Sequence, residues 1–133
     1  MTIAAIEAIP FRLRPKHTIR FANGSVGETI NVLIRIRTED GLVGVGEASP
    51  RSMTYGDSWP GVVHTATELV APQWVGQDER RIEALHDMVR ELRGNHTVRA
   101  ALDIALHDLV AQRAGVSVAT LLGGFADRVR VSH

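Results

Sequence analysis

The stretch RAALDIALHDLVAQRAG, Arg99 to Gly115, decides the fold. The spacing predicts a helix over 97–114, stopped by Gly115. Val98, Ala101, Leu102, Ala105, Leu106, Leu109 and Val110 recur at helical intervals and form one apolar stripe. Ala100, Ile104 and Ala111, with His107 among them, form a second set on the opposite side. A helix that is apolar on both sides wants two partners. The first must lie upstream in the chain.

Upstream, the period changes from helical to alternating. Residues 3–13 read as a strand: Ile9, Phe11 and Leu13 face one way, while Arg12 and Arg14 make the wet face. Pro10 prefers an edge or a bulge. Residues 29–38, TINVLIRIRT, set Ile30, Val32, Ile34 and Ile36 on one face. Asn31, Leu33, Arg35 and Arg37 lie on the other. The turn Glu39-Asp40-Gly41 and a return strand over 42–48 complete a three-stranded antiparallel meander. Its inner face is the first partner of the 97–114 helix. Gly44 and Gly46 suit a sheet packed closely under a helix, because the third glycine of a dinucleotide fingerprint is missing.

Two long segments interrupt this pattern, Pro15–Gly27 and Ser49–Gly61. Long loops in compact domains are often functional. Two further helices are expected. One runs over 61–71 with Pro60 at its start. The other runs over 78–93, capped by Asp78 and stopped by Gly94. Glu79, Arg80, Glu83, Arg90 and Glu91 read most simply as its solvated face. A short turn, VATLLGG, follows the last helix, and DRVRVSH at 127–133 alternates like a strand. Asp103 and His107 lie four apart on one helix, but with no third ligand placed they read as packing or a local hydrogen bond.

Bulk properties narrow the function classes. The 133 residues fit one domain, which buries roughly two-thirds of its unfolded surface. A formal net charge of zero leaves no electrostatic footprint for nucleic acid or an anionic membrane. The absence of cysteine excludes disulfides, cysteine-ligated zinc and a thiol nucleophile, and fits a cytoplasmic location. No stretch approaches the roughly 20 apolar residues of a membrane span. The start, MTIAAIEAIPFRLR, has no basic leader and reads as a strand.

Ala101 to Gly124, ALDIALHDLVAQRAGVSVATLLGG, resembles the first signature of the mandelate racemase and muconate lactonizing enzyme family, within the enolase superfamily. Asp103, Ala105-Leu106, Asp108-Leu109, Ala111-Gln112, Gly115, Val118 and Leu121-Leu122-Gly123 carry the match. His107 stands where the family usually has an aromatic, Ser117 where proline is commonest, and Val98 where alanine is usual. NVLIRIRTEDGLVGVGEASP, Asn31 to Pro50, looks like the family's second and third strands. MTYGD, Met53 to Asp57, resembles the muconate cycloisomerase and dipeptide epimerase branch.

The resemblance implies an enolase-like α+β fold, a three-stranded antiparallel meander followed by a three-to-four-helix bundle. It implies a capping domain over 1–122, then a linker and first barrel strand over 123–133, with the chain truncated before the rest of a (β/α) barrel. That barrel would cover the second face of the 97–114 helix. The implied chemistry is proton abstraction next to a carboxylate, with the enolate stabilised by Mg²⁺, in a racemase, epimerase, cycloisomerase or dehydratase. The bases and metal ligands of such a barrel lie at its strand ends. Lys16 is the only lysine here, so no catalytic residue and no metal ligand is assigned, and the fragment is expected to be inactive alone. The partners expected are the barrel of the same protein, a small carboxylate substrate and, for the full-length enzyme, a second copy in a homo-oligomer. The capping role does carry over, to the two long segments. There Arg20 suits a substrate carboxylate, Ile19 and Phe21 an apolar wall, and Tyr55 and Trp59 an aromatic surface. The rival reading is a stand-alone, non-enzymatic α+β module that binds another protein through the second helix face.

Overall fold

The computed structural model describes residues 1–21 and 24–131, with the side chains of Ile19, Arg20, Phe21 and Val26 left out of the description. Strands β1 (Ile3–Leu13), β4 (Thr29–Thr38) and β5 (Val43–Ala48) form an antiparallel sheet in the order β1-β4-β5. Between β1 and β4 stands a separate two-stranded hairpin, β2 (Ile19–Phe21) with β3 (Gly24–Val26). The sequence reading had a loop there, because three-residue strands are too short to show a period.

The alternation of β4 is as expected. Val32, Ile34 and Ile36 are fully buried on the helix side. That of β1 is reversed from expectation. A register shift between Ile3 and Ala5 changes the phase, so Ile3, Ile6 and Ala8 face the core. Ile9 and Leu13 are left exposed on the outer face, and Arg12 stands opposite Ile30 on the inner side. One extra residue in a strand sends every following side chain to the other face. Pro10 sits on β1, an edge strand, as its missing N–H requires.

After the short helix α1 (Ser52–Tyr55) a continuous helix runs over 59–74, longer than the sequence reading. It comprises α2 (Trp59–His64), a π-helical turn (Thr65–Val70) and α3 (Ala71–Trp74). Pro72 opens the last part. A proline lacks an N–H and crowds the carbonyl of the preceding turn, and the wider π turn relieves both. Trp74 is fully buried and donates its indole N–H to the Leu85 carbonyl at 2.9 Å.

Helix α4 covers only Ile82–Met88, four residues later at its start than Asp78 would have set. Asp78 instead accepts from the Arg80 backbone N–H and guanidinium, so it makes a turn rather than a cap. Glu79 is not on a solvated face. Its side chain is 0% exposed and pairs with Arg113 Nε at 2.8 Å and with the Met1 amino group at 3.3 Å.

Helix α5 (His96–Ala114) lies across the sheet. Val98, Ala101, Leu102, Ala105, Leu106 and Leu109 are buried, as the stripe predicts. Of the second set, Ala100 and Ile104 are exposed, but Ala111 is buried. A Cβ on Gly46 would come 2.0 Å from the Ala101 carbonyl oxygen, and one on Gly44 2.1 Å from that of Ala105. Backbone therefore packs on backbone, and glycine is demanded by space. Three side chains of α5 reach beyond this contact. Asp108 accepts from the Val45 N–H at 2.9 Å, and Gln112 donates to the Val43 carbonyl at 2.9 Å. They satisfy the open edge of β5, which would otherwise invite another strand. Arg113 forks onto Asp40 at 2.7 and 3.2 Å and ties down the β4–β5 turn. Its guanidinium, followed by the Thr38 hydroxyl, holds the Asp40 carboxyl well below the usual carboxylate range.

After α6 (Val118–Leu121) the chain forms no helix or strand and is exposed through residue 131. The expected strand at its end does not form among the described residues: Val129 and Val131 alternate but have no strand to pair with. Among the described residues no helix is long and apolar enough to cross a membrane.

Candidate functional site

The 49–61 segment lies beside the start of β4, at the point where the 15–27 segment ends. There the start of β4 and the stretch after β5 enclose an open hollow of about 430 Å³, within the usual range for small-ligand sites. Glu28, Thr29 and Ile30 form one side. Pro50, Arg51 and Ser52 form the base of the other, and Asp57, Ser58, Trp59 and Pro60 continue it.

Each charged lining residue has a distinct setting. Glu28 bridges Arg12 Nη1 and Arg14 Nε, the latter at 2.7 Å. It thereby clips the end of β1 to the start of β4 and closes the neck of the 15–27 segment. Arg14 first, helped by Arg12, lowers its pKa below the ordinary glutamate value. Asp57 accepts from the Thr97 backbone N–H at 3.0 Å and from the Thr97 hydroxyl at 2.6 Å. The N-cap position of α5 is Asn95, which has φ 54° and makes no capping bond of its own. Asp57 supplies the missing cap from a distant loop, where the helix dipole also favours a negative charge.

Arg51 is held from below. Its Nη1 donates to Asn31 Oδ1 at 3.2 Å and to the Pro50 carbonyl at 2.8 Å. Asn31 is only 4% exposed and donates in turn to Glu47 Oε1 at 2.5 Å. Arg51 thus stands on the central strand of the sheet rather than on a free loop.

Of the residues singled out from the sequence, Trp59 lines the hollow and is 40% exposed. Tyr55 is exposed at the end of α1 but is not part of the lining. The side chains of Ile19, Arg20 and Phe21 lie outside the described residues; their backbone forms β2, paired with β3. Sequence reasoning missed Arg51, Asn31 and Glu28. The available signal was Asn31 itself, an amide in an otherwise strongly apolar strand.

Away from the hollow, His86 Nε2 lies 2.9 Å from Asp103 Oδ1, and His107 Nδ1 lies 3.0 Å from the Asp103 carbonyl. This joins α4 to α5, in keeping with the hydrogen-bond reading of Asp103 and His107. Among the described residues no group of three or more His, Cys, Asp or Glu side chains is placed to hold a metal ion.

Comparison with known proteins places this architecture. Residues 5–123 match the family model described as "Mandelate racemase / muconate lactonizing enzyme, N-terminal domain". An N-succinyl-L-Arg/Lys racemase of Bacillus cereus is 30% identical over the whole chain, which covers 37% of that protein. The muconate lactonizing enzyme of Mucobacterium Smegmatis, solved with muconolactone, superposes with a TM-score of 0.94 at 42% identity, over 100% of this chain and 36% of that one. A dipeptide epimerase of Enterococcus faecalis, solved with Mg and L-Leu-L-Tyr, gives 0.90 at 30% identity, over 97% of this chain and 36% of that one. The chain therefore spans little more than a third of the length of these relatives.

Proposed function

The chain belongs to the mandelate racemase / muconate lactonizing enzyme family as its N-terminal domain, and from that premise we propose that it caps a catalytic barrel and helps choose the substrate. The observation that carries this reading is a hollow of ligand size between the 49–61 segment and the start of β4, where the 15–27 segment ends. The relatives are racemases, epimerases and cycloisomerases. On this reading the whole enzyme abstracts a proton α to a carboxylate, as a racemase, epimerase, cycloisomerase or dehydratase.

What this domain's own residues do is bind, orient and exclude water. Asp57 anchors the 49–61 segment to α5, and Glu28 anchors the neck of the 15–27 segment to the sheet. Two loops fixed at their roots can close over a substrate without losing register. Arg51 and Trp59 then face the covered space, with Arg20, Ile19 and Phe21 proposed to join them from β2. Two of the related structures hold Mg with a dipeptide. The residues described here do not form a site for it. The ligands of that metal belong, on this reading, to the barrel. The exposed face of α5 around Ile104 would pack on that barrel.

The test is wash-in of solvent deuterium at the α-carbon. The complete protein in D₂O is expected to exchange the α-proton of at least one N-acyl amino acid or dipeptide, to lactonize cis,cis-muconate, or to dehydrate an acid sugar. The 133-residue domain alone is expected to do none of these. A complete protein inert toward all four classes would overturn the proposal.

A further inference from the structure

We propose that Arg51 is an anion-selecting residue, and that the hollow takes the end of a small molecule bearing a carboxylate. The inference deepens the capping reading and rests on it only in taking that molecule to be the substrate. Three charged residues line the hollow. Glu28 is engaged by Arg12 and Arg14, and Asp57 by Thr97. Arg51 is different: it forms no ion pair among the described residues, and its only acceptors there are two neutral oxygens, both on Nη1. The Nε and Nη2 edge of the guanidinium keeps three N–H donors without an acceptor among the described residues. That edge is the planar fork that matches a carboxylate with two parallel hydrogen bonds.

The support beneath Arg51 makes the fork a built feature. Asn31 is buried on the central strand and held by Glu47, so the cation is pre-positioned and less side-chain entropy is lost when an anion binds. The two carboxylates of the lining do not oppose an anion freely: Arg12 and Arg14 neutralise Glu28, and Thr97 holds Asp57 at the start of α5. Trp59, half-exposed in the lining, offers an apolar wall for the carbon skeleton behind the charge.

The experiment is a calorimetric titration of the complete protein with glutarate and with its neutral diamide, glutaramide. The two have nearly the same shape, and only the first bears a carboxylate. The wild-type protein is expected to bind glutarate more tightly. R51Q is expected to weaken glutarate by about 10- to 100-fold, the range for losing a charge-assisted pair, and to leave glutaramide nearly unchanged. R51K is expected to recover only part of the loss, because an ammonium lacks the fork. No binding of glutarate, or binding that R51Q leaves unchanged, overturns the proposal. An equal loss for both ligands also overturns it, since the residue would then be structural. Deuterium wash-in on the same protein reads the capping function separately. Arg51-dependent glutarate binding without any exchange would uphold the anion site and fail the capping reading.

Discussion

The two faces of α5 carry similar apolar residues and meet different fates. On the inner face Ala101 and Ala105 lie so close to β5 that only glycine fits opposite. On the outer face Ile104 is 52% exposed and Ala100 is open to solvent. The lesson is that helical spacing reports which residues are able to pack, while the neighbouring element decides which of them do. The inner face belongs to this domain's stability. The outer face contributes little to it, because Ile104 and Ala100 meet no neighbour there.

The comparison can be broken hardest at its tightest point. Gly46→Ala would place a methyl against the Ala101 carbonyl oxygen, backbone that cannot rotate aside. It is expected to cost about 3 kcal/mol, at the upper end for overpacking, read as a lowered denaturant midpoint. A loss under a few tenths would mean that α5 does not sit on β5 as described. The N-terminal end of α5 comes next. Asp57→Ala removes the cap at Thr97 and is expected to cost about 1 kcal/mol, the usual value for a lost N-cap. It should also speed amide exchange in the 49–61 segment, which a purely solvated aspartate would not do. The smallest effect is expected on the outer face. Ile104→Ser should change the stability of this 133-residue chain by no more than about 0.5 kcal/mol, as exposed substitutions do. The same change made in the complete protein sharpens the contrast, because a cost of 2 kcal/mol or more there would show that the face is covered by the rest of the protein.

Much of the fold was legible because its signals are local. The alternation from Ile30 to Ile36, the Glu39-Asp40-Gly41 turn, and the helix ended by Gly115 each depend on residues within a few positions. The glycines at 44 and 46 read correctly too, since a strand with no side chain on one face has to lie under something close. Signals failed where one residue changed a phase or a distant partner intervened. The shift between Ile3 and Ala5 reversed β1, so Ile9 and Leu13 face outward although their alternation looked like a core face. Glu79 looked like one charge among many on a helix, but Arg113 and the Met1 amino group capture it in the interior. A lone charge buried there would be costly, so it is tolerated only because those partners arrive.

Of the candidate site, the 49–61 segment and Trp59 were visible beforehand, because length and composition are sequence properties, whereas no residue of 15–27 is in the lining. Arg51 was passed over. Nothing in Ser-Pro-Arg-Ser says that a buried amide on another strand will hold the guanidinium upright. The same holds for Asp57, whose partner is the first turn of a helix far along the chain. The sequence alone determined the period of β4, β5 and α5, the family resemblance and the absence of a lysine pair. The tertiary structure decided which face of β1 is wet, which charges are buried and which arginine faces the hollow. The physical reason is range. Periodicity and turn chemistry act between neighbours, whereas burial, capping and charge pairing are set by whatever the folded chain brings within about 4 Å.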